Sequence, residues 1–161
     1  MKKNKMFLSI VLVVALILCS SLTTFGATAN DVFSGGFLSA KSLKYAMENY
    51  STPTSEAKNA IAQWNGVSSK VKITNSNVSN AHIKLSIGRL SPPTSGDLGL
   101  TKLMTTNDVQ VSANQRWTHA LCIRYNSPYL NTTAKKTATL THEVGHSLSM
   151  AHCTSTSHSC I

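Results

Sequence analysis

His142-Glu143-Val144-Gly145-His146-Ser147-Leu148-Ser149-Met150-Ala151-His152 is the stretch on which the reading of this chain turns. In a helix, residues four apart lie about 40° apart around the axis and about 6 Å apart along it. The imidazoles of His142 and His146 can therefore reach one metal ion. Glu143 follows His142 directly and projects beside that ion, where a carboxylate can take a proton from a metal-bound water. His152 is the candidate third ligand. Three protein ligands and a water make the open arrangement of a catalytic zinc site, whereas a structural site is closed by four.

His152 cannot join the pair from a helix that simply continues, because it would lie about 9 Å beyond His146 along the axis. The spacing predicts that the chain leaves the helix near Leu148-Ser149 and turns back. No Asp or Glu follows Glu143, so a downstream carboxylate is not available as the third ligand. The remaining donors are His152, His158, Cys153 and Cys160, with His152 favoured and His158 next.

The rest of the chain reads as an α+β domain. Leu43, Tyr45 and Met47 alternate with polar residues and predict a first strand. After Ser51-Thr52-Pro53, Thr54 or Ser55 can cap a helix from Glu56 to about Asn65, with Ala57, Ile61 and Trp64 on one side and Gly66 as its end. Val71 and Ile73 mark a second strand. Ile83, Leu85 and Ile87 mark a third, closed by Gly88 and stopped by Pro92-Pro93. Residues 91–99 read as a loop, and 103–111 as either an edge strand or a loop bordering a cleft. Leu121, Ile123 and Tyr125 mark another strand, followed by a turn at Asn126-Ser127-Pro128. The last helix is predicted from about Thr132 to Leu148, capped by Asn131 or Thr132. Its apolar ridge of Leu140, Val144 and Leu148 is separate from the face that carries the histidines. The sheet is expected to be mostly sequential.

The amino terminus carries Lys2, Lys3 and Lys5, then an apolar run from Met6 to Leu18, then Ala27-Thr28-Ala29. This is the pattern of an export signal, so residues 1–29 are expected to be removed, leaving residues 30–161 as one domain. The run is too short to favour a membrane anchor, and no other long apolar segment exists. Cleavage removes three lysines and no acid, lowering the formal charge from +9 to +6. The excess is scattered without a dense basic run, which argues against nucleic acid as a partner. The secreted chain keeps Cys122, Cys153 and Cys160. A Cys153–Cys160 bridge is the favoured pair, leaving Cys122 free or joined to something beyond this chain.

The zinc-helix segment resembles the metzincin pattern HExxHxxGxxH, and more narrowly the secreted bacterial metalloproteases of matrixin type. Ala60-Ile61-Ala62-Gln63-Trp64-Asn65, the Val71 strand and Ala81-His82-Ile83 are similar to the first helix and strands of that family. The resemblance spans roughly residues 41–152. It implies a metzincin-like subdomain, a mixed twisted sheet with one packing helix and one zinc-binding helix. It also implies a zinc endopeptidase acting on peptide or protein substrates, with His142, His146 and His152 on Zn2+ and Glu143 as general base. Two features differ. The family's glycine is Ser149 here, where a left-handed backbone costs a serine about 1–2 kcal/mol. The family's methionine turn and C-terminal subdomain would follow Ile161, so the chain reads as a catalytic domain incomplete at its C-terminus.

Two other readings compete with a secreted endopeptidase. One is an inactive zincin remnant that still binds zinc, and the other a small cationic binding protein. His82 and His119 read as structural or solvent-facing, Asp97 and Asp108 as solvated loop carboxylates rather than calcium ligands, and Trp64 and Trp117 as packing residues. No nucleophile elbow, phosphate loop or dinucleotide fingerprint is present.

Overall fold

The computed structural model describes residues 32–38, 42–88 and 96–152. The export segment 1–29, the Pro92-Pro93 stop and the donors Cys153, His158 and Cys160 lie outside the described residues. So does the proposed Cys153–Cys160 bridge. Cys122 is buried and makes no disulfide among the described residues.

Among the described residues seven strands and two α-helices follow in chain order: β1 (Gly36–Phe37), β2 (Leu43–Met47), α1 (Ser55–Val67), β3 (Ile73–Asn75), β4 (Ile83–Ile87), β5 (Gly99–Met104), β6 (Arg116–Trp117), β7 (His119–Arg124) and α2 (Thr133–Ser147). The fold is α+β, built on a mixed sheet. The main sheet has the order β3-β2-β4-β7-β5. Its first four strands are parallel, and β5 closes the edge antiparallel to β7. The expectation of a mostly sequential sheet is therefore corrected. α1 carries the chain between β2 and β3, and β4 then pairs on the other edge of β2.

Both helices are capped as their sequences predict. Thr54 Oγ1 accepts from the Ala57 N–H at 3.2 Å, and Thr132 Oγ1 accepts from the Lys135 N–H at 3.2 Å. Each hydroxyl satisfies one of the orphan donors of a first helical turn. Gly66 does not end α1, which runs on to Val67. Asn65 explains the exit instead: its side chain accepts from the Ile73 N–H at 2.7 Å and donates to the Ile73 carbonyl at 2.9 Å, tying β3 to the end of the helix. Gly88 does close β4, at φ 69, a conformation that suits glycine.

The sheet register decides what lies under α2. Met47, Leu85, Cys122 and Thr101 are successive partners across β2, β4, β7 and β5. Residues in one such row point to the same face of a sheet. Leu85 and Cys122 are wholly buried, as are Ala57 and Ala60 of α1 and Leu140 and Val144 of α2. The core therefore lies between the helices and this face. Leu121 and Ile123 mark β7 in the sequence, but Ala120, Cys122 and Arg124 are the β7 residues that face the helices. The opposite face carries Lys44, Lys84 and Lys102 and is more open.

Two tryptophans hold different parts of the fold together. Trp64 Nε1 donates to the Thr141 carbonyl at 2.8 Å and so fixes α1 against α2. Trp117 is wholly buried beside Phe37, with ring centroids 5.9 Å apart. No helix among the described residues is long and apolar enough to cross a membrane.

Candidate metal centre

α2 delivers His142 and His146 one turn apart, and the chain then reverses. Leu148 caps the helix, and Ser149 takes φ 74. The Ser149 N–H donates to the His146 carbonyl at 3.1 Å, and the Met150 N–H to the Gly145 carbonyl at 3.0 Å. These two bonds are the 5→2 and 6→1 pair of a Schellman motif, in which the left-handed position is usually glycine. The left-handed serine expected from the sequence is thus present. Its consequence is that His152 returns over the helix end rather than running past it.

The three imidazoles converge. His142 Nε2 lies 2.9 Å from His152 Nε2, and His146 Nε2 lies 3.0 Å from each of the others. Three nitrogens at these separations lie close enough to hold one metal ion. Tetrahedral zinc with Zn–N bonds of about 2.1 Å has ligand edges of about 3.4 Å, close to this triangle. The donor chemistry fits as well. His146 Nδ1 lies 2.8 Å from the Met150 carbonyl. A carbonyl only accepts, so Nδ1 carries the proton and Nε2 keeps its lone pair for a metal. Among the described residues no other group of three His, Cys, Asp or Glu side chains is arranged this way.

Glu143 points from the same helix toward the edge strand. It is 5% exposed. Burial pushes its carboxyl up to about 7, opposed by the Thr101 hydrogen bond and by His152. Thr101 Oγ1 lies 2.8 Å from both Oε2 and the main-chain carbonyl of Glu143. One hydroxyl proton serves one acceptor at a time. Thr101 can thus donate either to the Glu143 carboxylate or to its main-chain carbonyl. Gly99 completes the seat, since a Cβ there would overlap the Glu143 carboxyl. Beneath them the Cys122 thiol donates to the Glu143 carbonyl at 3.4 Å. Burial pushes that thiol up to about 12, so it stays protonated and serves packing.

These groups open on a cleft of about 1170 Å³ whose lining includes Phe33, Leu100, Thr101, Leu103, His142 and Glu143. Gly99 was expected in a loop but begins β5; of the ambiguous segment 103–111, Leu103 and Met104 end that strand and the rest leaves it through a turn, with Gln110 and Val111 lining the cleft. Thr101 and Gly99 were missed from sequence. The only local signal for them is the strand itself, because their partner lies 42 residues away for Thr101.

His82 Nδ1 accepts from the Lys44 N–H at 3.1 Å, and burial, then Lys44, lowers its pKa. His119 is buried and its Nε2 lies 2.7 Å from Asp108 Oδ1. Asp108 is thus not merely solvated: at φ 57 it turns the segment after β5 back onto His119. Asp97 lines the cleft. Comparison with family models, with curated proteins and with solved structures found no match to this chain.

Proposed function

We propose that this chain is a secreted zinc-dependent endopeptidase, with His142, His146 and His152 as metal ligands and Glu143 as general base. The observation that carries the reading is the convergence of three Nε2 atoms within 3.0 Å of one another, beside a buried carboxylate on the same helix. A zinc ion held there supplies Lewis acidity and an acidified water.

The chain's own groups supply the rest. Glu143 sits in a low-polarity seat, where burial makes its carboxylate a stronger base than one in water. The oxygen that accepts a proton can return it to the departing amide nitrogen. Thr101 orients the carboxyl, and Gly99 leaves room for it. β5 ends the sheet on the cleft side, and an edge strand offers main-chain donors and acceptors to an extended peptide. That favours peptide or protein substrates over small hydrolysable molecules.

Metal content of the purified chain tests the reading. About one zinc per chain is expected by elemental analysis. His152→Ala should weaken zinc binding strongly, because two imidazoles from one helix do not complete a three-ligand site. A folded chain without zinc would sink the enzyme reading and favour a binding protein or remnant. Equal zinc in parent and variant would assign the third ligand elsewhere.

A further inference from the structure

The turn that carries His152 is gripped by a segment far away in the chain. Ser149 Oγ donates to the Gly35 carbonyl at 3.1 Å, across 114 residues. The Phe33 N–H donates to the Ser149 carbonyl at 2.7 Å. Val32 and Met150 form an antiparallel bridge. The Phe33 ring lies against the His146 imidazole, with centroids 5.9 Å apart. Every residue of the turn from Ser149 to Met150 is therefore held from outside the helix.

The same segment is anchored to the body of the domain at its other end. β1 pairs with β6 through Gly36 and Arg116, and through Phe37 and Trp117. The Gly35 N–H donates to the Ala113 carbonyl at 3.0 Å, and the Leu38 N–H to the Trp117 carbonyl at 2.8 Å. Arg116 Nη2 donates to the Phe37 carbonyl at 2.6 Å. Trp117 itself is wholly buried. The segment thus links a rigid anchor to a turn whose serine adopts a left-handed backbone that its Cβ disfavours. His152 lies three residues beyond that serine and is exposed.

We propose that Val32–Gly36 is part of the metal centre: a splint that positions His152 by holding the Ser149 turn. Metal affinity then depends on this segment being seated. Ser149 contributes through its hydroxyl, in addition to standing where a glycine would suit the backbone. The inference rests on the zinc reading above.

Zinc affinity, measured by competition with a chromophoric chelator, tests the splint in the purified chain and in two variants. Gly35→Ala places a methyl against the carbonyl oxygens of Gln115 and Ala113 and so unseats the segment. Ser149→Ala keeps the Cβ and removes only the hydroxyl. Each is made with and without His152→Ala. Gly35→Ala is expected to lower affinity about 10- to 100-fold, as loss of a ligand's supporting shell does. Ser149→Ala is expected to lower it about 5-fold, the worth of one hydrogen bond. Neither should lower it further in the His152→Ala background, since a positioning segment acts only through that ligand. With cobalt in place of zinc, Gly35→Ala should also shift the visible spectrum toward that of His152→Ala. Losses of equal size in both backgrounds mean a general loosening of the fold and overturn the splint. So does an unchanged affinity in both variants of a parent that binds zinc. A parent without zinc overturns the splint together with the zinc reading, and the parent measurement alone tells these failures apart. Should Gly35→Ala not fold, Ser149→Ala decides.

Discussion

Glu143→Gln is expected to lower peptide hydrolysis about 100- to 10,000-fold, the usual contribution of a positioned general base, while zinc content stays at the parent level. Glutamine keeps the shape and can still bond Thr101, but it cannot accept the proton. Activity against a generic unfolded protein substrate, read beside metal analysis, checks both halves. Hydrolysis that survives the substitution would remove Glu143 from the mechanism, and loss of zinc would make it a ligand.

The same carboxyl sets a pH dependence in the metal-free chain. Its ordinary value is 4.5, and burial raises it to about 7 in the folded state. Between those two values the folded chain holds a proton that the unfolded chain has released. Stability is therefore highest below the lower value, falls as pH rises through the window, and levels off above the upper one. The total is of the order of 3 kcal/mol at most, at 1.36 kcal/mol per unit of pKa. Urea denaturation in the presence of a chelator, at several pH values, should show this decline in the parent and a flatter profile in Glu143→Gln. Parallel profiles would show that the carboxyl is not held in a desolvated seat.

Glu56→Ala is expected to destabilise the fold by about 3–5 kcal/mol, the cost of stranding one partner of a buried ion pair. Arg124 Nε donates to Glu56 Oε1 at 2.8 Å, and Nη2 to Oε2 at 3.2 Å. The two side chains are 7% and 11% exposed. Arg124 Nη1 also donates to the Tyr125 carbonyl at 3.1 Å. The pair joins the first turn of α1, where a carboxylate also meets the positive end of the helix dipole, to the end of β7. Removing the carboxylate leaves a guanidinium out of water with one carbonyl for company. Replacing both residues with methionine should cost less than Glu56→Ala, because no charge is then buried alone. The urea midpoints of the single and double variants check this. A Glu56→Ala midpoint equal to the parent's would mean that water reaches Arg124.

Neither partner of that pair was legible in the sequence. Glu56 reads as a first-turn acid and Arg124 as the polar end of a strand, and only the packing of α1 on β7 brings them together. The two-residue strands β1 and β6 were missed for a related reason. They are too short to show a period of two, and their pairing depends on Gly35 approaching the 113–115 backbone closely. The sheet order was misjudged because strand periodicity reports which residues alternate, not which neighbour each strand takes. By contrast β2, β4 and both helices follow from local pattern and capping, and the expected boundaries agree with the structure to within about two residues.

What the sequence by itself determined is the part of the site that depends on one helix. His142, Glu143 and His146 take their relative positions from the α-helical repeat, which needs no partner. The need for a reversal near Ser149 follows from the same geometry, since no continuing helix brings His152 back. What only the tertiary structure decided is where that reversal leads and what surrounds it. The register of β5 on β7 sets Thr101 and Gly99 under Glu143, and the seating of Val32–Gly36 steadies the turn that carries His152. Those are contacts between residues 42 and 114 apart. They arise from the packing of separate elements, which local spacing does not encode.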